Sequence, residues 1–239
     1  MTDFSTLPEE IAAELQPRAD PAYRELVQSR YNMDVSTFLG VRTPIVHRSA
    51  NRHYKLLKSF PIEERLAACT TMLEAKIYEL KVMAFRWAYL SRNDLAPVHL
   101  PVLAGWLARY IDDWIDCDDL CIHVLGEFFV RHPELADVTR TWTRADNRWV
   151  RRGAAVAIIP SARKGKLHEL ALDIADLLLD DNDNLIQKAY GWLLKEASKA
   201  DPQGIYAYLM QRRSIMPRLA FRYALEKMPD ELRRDALAR

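Results

Sequence analysis

The chain has 239 residues, 49% hydrophobic and 28% charged, with a formal net charge of +1. That length holds a sizeable core, and the balance is that of an ordinary soluble globular protein rather than a disordered or low-complexity chain. No apolar run reaches the roughly 18 residues of a membrane span, and the opening MTDFSTLPEE is too acidic and polar for a signal peptide, so a cytoplasmic protein with no membrane association is expected.

Only seven glycines occur, and Leu, Ala, Arg, Glu and Asp dominate, which favours helix. From Arg42 to Lys58 there are five Arg or Lys, two histidines and no acid. Apolar residues then recur at helical spacing, with Leu66, Ala67, Thr70 and Leu73 running on to Ile77, Leu80 and Ala84. A later stripe is Leu167, Leu170, Ile174, Leu177 and Leu178. Helix breaks are expected at 59–61, 92–97, 131–133, 145–147, 159–166, 180–184, 200–202 and 228–230, where Pro, Asn and Asp act as breakers or N-caps. Roughly a dozen helices of about 10–20 residues result, with no convincing strand. Starts at Pro97, Pro133 and Asp180 lie 36 and 47 residues apart, close to the roughly 40–47 of a two-helix HEAT repeat. An irregular bundle or an α-solenoid, in one domain without a linker, fits this pattern.

The segment DDWIDCDD, 112–119, places five aspartates around Trp114. Asp112 and Asp113 fall where N-cap and first-turn acids complement the helix dipole. Trp114 and Asp118 are i,i+4, about 40° apart around a helix, so they share a face, whereas Asp119 is about 140° from Trp114. Asp116 and Asp119 are expected to meet solvent. Cys117 and Cys121 lack two further soft ligands, His123 being the nearest, so neither a metal nor a cofactor is expected. With Cys69 they make three cysteines, too few for a disulfide framework, and reduced thiols are expected.

Between Arg140 and Lys166 there are eight Arg or Lys and one acid, Asp146. Within this run, ADNRWVRRGAAVAII begins a helix capped by Asp146 or Asn147, with Val150, Ala154, Ala155, Ile158 and Ile159 toward the core. Arg144, Arg148, Arg151 and Arg152 crowd its first turns, where arginine opposes the macrodipole. Either solvent or a phosphate accounts for them, since phosphate binds free N–H groups and guanidinium forks together. In LIQKAYGWLLKEASK, 185–199, a stripe of Leu185, Ala189, Trp192 and Leu193 is flanked by Lys188, Lys195 and Lys199. Gly191 at mid-helix costs about 1 kcal/mol relative to Ala, which close approach of another group to the backbone would explain.

The blocks FLGVRTPIVHR (38–48), W-x-x-x-D (114–118), EFFVRHPEL (127–135), ADNRWVRRGAAV (145–156), IQKAYGWLLKEASKADP (186–202) and RLAFRYALEKMP (218–229) follow one another in this order. Together they resemble the AlkD family of DNA alkylation-repair glycosylases, over about residues 22–229. The resemblance implies an all-α solenoid of HEAT-like repeats, here one domain over 1–239, gripping duplex DNA in a concave basic groove. It implies hydrolysis of the N-glycosidic bond of cationic N3- and N7-alkylated purines without a deep base-flipping pocket. By that resemblance Asp118 is the catalytic aspartate, Trp114 and Trp192 the cleft tryptophans and Arg152 the cleft arginine. Tyr31 lies near the lesion, and Thr43, Arg48, Arg148, Arg151, Lys188, Lys195 and Arg222 contact DNA. The partner is duplex DNA carrying alkylated purines, and the protein is expected to act as a monomer.

The chemistry agrees with these residue types. A cationic base leaves without a general acid, and a fixed carboxylate stabilises the oxocarbenium character of the sugar. Indole faces attract the C–H edges of that sugar through their quadrupole. Three other readings stay open at this level: excision of bulky antibiotic-derived adducts, a non-catalytic relative binding DNA structures, and a protein–protein scaffold. The acids at 116 and 119 also depart from the family pattern and leave the register of the catalytic aspartate open by one residue.

Overall fold

The structure, a computed structural model, describes residues 3–31 and 37–238, without the Tyr31 side chain. Tyr31 as a lesion contact therefore lies outside the described residues. All regular structure among them is helical. The chain divides into two compact units, Met1–Leu120 and Cys121–Arg239.

The first unit comprises α1 (Leu7–Leu15), α2 (Pro21–Tyr31), α3 (Thr43–Leu57), α4 (Ile62–Glu74), α5 (Tyr78–Leu90), α6 (Leu100–Arg109) and α7 (Trp114–Asp119). Local chemistry explains the starts. Pro8, Pro21, Pro44 and Pro101 stand in first turns, where a missing N–H costs nothing, and Glu9, Glu10, Glu63 and Glu64 complement the dipoles of α1 and α4. Helices α3 and α4 both pack on α5. Leu80, Val82, Met83, Ala84, Phe85, Trp87 and Ala88 of α5 are all buried, and so are its charged residues Glu79 and Lys81. A helix covered on nearly every side forms the centre of this unit.

The stripe from Leu66 to Ala84 is not one helix. The chain turns at Ala75–Ile77, with Lys76 in the left-handed region (φ 55°), so that α5 folds back against α4. No Gly, Pro or Asn marks this turn, and a lysine there carries a conformational cost of roughly 1 kcal/mol.

The second unit comprises α8 (Gly126–Arg131), α9 (Thr139–Trp142), α10 (Arg148–Val156), α11 (Ile159–Ala162), α12 (His168–Leu177), α13 (Asn184–Ala197), α14 (Pro202–Arg212), α15 (Arg218–Ala224) and α16 (Asp230–Ala238). In chain order a π-helical turn, Leu120–Leu125, separates α7 from α8. Helix α13 packs against α10, α12 and α15. Two expectations need correction here. Part of 159–166 is the short helix α11 rather than a break, and Leu167 stands outside α12 with φ 55° while Leu177 is exposed.

Side-chain links recur at a nearly constant chain separation. In the first unit Trp87 Nε1 donates to the Ala50 carbonyl 37 residues back, Trp106 Nε1 to Thr70 at 36, and Arg86 Nε to Asn51 at 35. In the second, Arg140 binds Asp173 and Arg163 binds Glu196 at 33, and Tyr208 binds Asp176 at 32. Within each unit one pair of helices stacks on the next, the arrangement expected of helical repeats. No helix among the described residues is long and apolar enough to cross a membrane.

Candidate functional site

Helix α7 opens as its sequence suggested. Asp113 is the N-cap, its carboxylate accepting from the Ile115 N–H at 2.8 Å. Cys117 and Asp116 are buried, while Trp114 and Asp118 are half-buried on the shared face that their spacing gives them. The expectation that Asp116 meets solvent is overturned. Its carboxylate lies 2.9 Å from Lys81 Nζ of α5, with side-chain exposures of 4% and 5%, and Lys81 also reaches the exposed Asp112 at 2.7 Å. A buried carboxylate needs such a partner, because desolvating an unpaired charge is costly. Burial still raises Asp116 to about 6 against the pull of Lys81, whose own ammonium is held above its ordinary range by Asp116 and Asp112 although burial alone lowers it.

Asp119 is also not a solvated acid. It is half-buried, and burial followed by the charge of Asp116 pushes its carboxyl from 3.8 to about 7, with Arg86 opposing. Between those values the folded chain keeps a proton that the unfolded chain has released, so Asp119 lowers stability as pH rises and the full cost is reached above about 7. Asp119→Asn is therefore expected to stabilise the protein by about 1–3 kcal/mol near pH 8, and by less near pH 5. Urea midpoints at the two pH values check this; equal gains at both would contradict it.

The segment 38–41 ahead of α3 is held by Glu79. One carboxylate oxygen accepts from the N–H groups of Gly40 and Val41, both at 2.9 Å, and the other from Leu39 at 3.0 Å. Gly40 sits at φ +90°, a conformation that suits glycine, and its carbonyl accepts from the Asp20 N–H at 2.9 Å. This fixes where α3 begins, with Thr43 half-buried in its first turn and Arg48 exposed along it.

In the second unit, Asn147 caps α10 by accepting from the Trp149 N–H at 2.8 Å. The arginines of its first turns find partners inside the chain. Arg148 pairs with Asp183 at 2.7 Å. Arg151 pairs with Asp181 at 2.7 Å and donates to the carbonyls of Ala145 and Asp146. Arg152 is buried and donates to the Leu185 carbonyl at 2.6 Å. What offsets the unfavourable dipole is thus the acidic loop before α13, whose Asp183 also caps α13 through the Leu185 N–H at 2.9 Å. That partner was readable in principle: a basic run and an acidic run one repeat apart are complementary across stacked helices.

Along α13, Trp192 and Lys188 are half-buried, and Lys195 pairs with Glu226 at 2.8 Å while lying 5.2 Å from the Tyr223 ring. Arg222 of α15 is exposed. Gly191 is where α15 comes closest: a Cβ there would stand 2.8 Å from the Ala220 carbonyl oxygen and from Tyr223 Cβ. The backbone of α15 is the group whose approach the glycine permits. Gly191→Ala forces the two helices apart, and a loss of about 2–4 kcal/mol in unfolding free energy is expected, measurable by denaturant titration. A variant as stable as the parent would show that α15 yields freely.

Lys81, Glu79, Asp181 and Asp183 were not singled out from the sequence, yet they hold the elements carrying the candidate residues. No group of three or more metal-binding side chains occurs among the described residues. Cys69, Cys117 and Cys121 are buried thiols, and burial pushes the Cys69 thiol up.

Residues 11–228 match the family described as DNA alkylation repair enzyme. A solved structure from Enterococcus faecalis, described as a predicted DNA alkylation repair enzyme, superposes with a TM-score of 0.79 at 16% identity, covering 89% of this chain and 98% of that one. No curated protein matches the chain.

Proposed function

The chain belongs to the DNA alkylation repair enzyme family, and from that premise we propose that it is a monofunctional DNA glycosylase. Its substrates are cationic N3- and N7-alkylated purines in duplex DNA, and it hydrolyses their N-glycosidic bond without drawing the base into a deep pocket. The observation that carries this reading is the division of labour on α7. Asp116 is locked to Lys81, and Asp119 is a carboxyl that burial has made hard to ionise. Asp118, half-buried, shares the face of Trp114.

The alkylated base already bears a positive charge, so it departs without being protonated. As it leaves, positive charge develops on the deoxyribose. A fixed carboxylate at Asp118 stabilises that charge and orients the attacking water, and the electron-rich Trp114 ring attracts the C–H edges of the sugar. Trp192 supplies a second aromatic surface for the duplex. Thr43, Arg48, Lys188 and Arg222 contact its backbone, whereas Arg148, Arg151, Arg152 and Lys195 act first through the in-chain partners that hold α10, α13 and α15 in place.

The test is incubation with methylated duplex DNA followed by chromatography of the free bases. Release of 7-methylguanine or 3-methyladenine, with an abasic site left in an uncut strand, is expected. Tight, salt-sensitive DNA binding with no base released overturns the enzymatic reading.

A further inference from the structure

Lys81 is a buried ammonium with no role in the reaction itself. We propose that Lys81 is a positioning residue: by gripping Asp116 and Asp112 it sets the rotation of α7 about its axis and so aims Trp114 and Asp118 outward. The inference rests on the glycosylase reading above.

At about 100° per residue, Asp116 stands roughly 160° from Trp114 on one side and from Asp118 on the other. Whatever pins Asp116 inward therefore turns the Trp114–Asp118 face away from α5. Leu120, about 40° from Asp116, and Cys117, about 100° from it, are buried too, so the arc from Asp116 through Leu120 to Cys117 lies against the core. Helix α7 runs directly into the π-helical turn Leu120–Leu125, and the ion pair adds a side-chain anchor at its N-terminal end. An ammonium bound to two carboxylates, at 2.7 and 2.9 Å, is directional. Asp112 lies just before the helix and Asp116 in its first turn, so the two bonds fix its axial position as well as its rotation.

Energetics supports orientation over stability as the reason for the pair. Replacing a buried ion pair by neutral side chains of similar volume is often close to neutral for folding, whereas removing one partner alone is costly. A pair retained merely for stability has an easy apolar substitute; a pair that aims a helix does not.

The experiment compares Lys81→Met/Asp116→Asn with the parent chain. Removing both charges leaves no unpaired buried ion, and melting within a few degrees of the parent is expected. Affinity for methylated duplex is expected to stay within about 3-fold, while the single-turnover rate of base release falls about 10–100-fold, since a misplacement near 1 Å costs on that order. A purely structural role predicts the reverse, a lower melting temperature with an unchanged rate per folded molecule, and that result overturns the proposal. Should the double variant not fold, Asp112→Asn replaces it, because Asp112 is 70% exposed and its change leaves the core intact. A rate reduced several-fold at unchanged affinity is then expected, and an unchanged rate overturns the proposal. Asp118→Asn, run alongside, separates the two claims: if it too releases base at the parental rate, the glycosylase reading fails rather than the positioning of α7.

Discussion

Asp118→Asn is expected to lower single-turnover release of 7-methylguanine from duplex DNA by about 100–1000-fold, with DNA affinity changed by less than about 3-fold. That factor corresponds to roughly 3–4 kcal/mol of transition-state stabilisation, the size seen when a single preorganised electrostatic group is removed from a site of developing charge. The asparagine keeps the volume and leaves Asp113 capping α7, so helix and ring stay in place while the negative charge is lost. Asp119→Asn is the internal control. Its carboxylate stands about 140° from Trp114 around the helix, off the face that Trp114 shares with Asp118, and burial raises it to about 7, so it is only partly ionised near neutral pH. The two variants therefore diverge: one loses activity, and the other keeps activity and gains stability. Loss confined to Asp119→Asn would shift the catalytic register by one residue, and full activity in Asp118→Asn would exclude electrostatic catalysis by that group.

What could be read along the chain, and what could not, follows from the range of the interactions. Helices show themselves through neighbours three and four residues apart, so α7, α10 and α13, the caps at Asp113 and Asn147, and the shared face of Trp114 and Asp118 were all accessible. The family resemblance rested on ordered blocks of the same local kind, and the match over residues 11–228 agrees with it. Asp116 was misread because its partner is 35 residues away on another helix, and a carboxylate inside an acidic run looks solvated until that lysine is in view. The partners of Arg148 and Arg151 lie 35 and 30 residues further on, so along the chain only solvent and phosphate were in view as counter-charges. The turn at Lys76 escaped for another reason: tertiary packing of α4 on α5 imposes a left-handed backbone on a residue that carries no local signal for it.

Glu79→Ala is expected to be among the most damaging single changes outside the candidate catalytic face. The Glu79 side chain is fully buried, and its two oxygens accept from the backbone N–H groups of Leu39, Gly40 and Val41. Burial pushes its carboxyl up, and the N–H groups of Val41 and Leu39 act against that push. Truncation to alanine leaves three backbone donors without their acceptor and opens a void the size of the lost side chain. Each orphaned buried donor costs about 1–3 kcal/mol, partly recovered by relaxation or water, so a total of about 3–5 kcal/mol is expected. For a chain of this length that is a fall in melting temperature of roughly 10 °C. Glu79→Gln should cost about half as much, because its amide oxygen can still serve Gly40 and Val41 while its NH2 group meets the Leu39 N–H donor to donor. Function is expected to follow, since the segment so held sets the entry to α3 with Thr43 and Arg48. DNA affinity of the folded Glu79→Gln protein should drop several-fold and its dependence on salt should flatten, as fewer phosphates are neutralised. A Glu79→Ala protein that melts within about 2 °C of the parent would mean that residues 38–41 are held by Phe38 and the Asp20–Gly40 bond alone, and that the carboxylate contributes little.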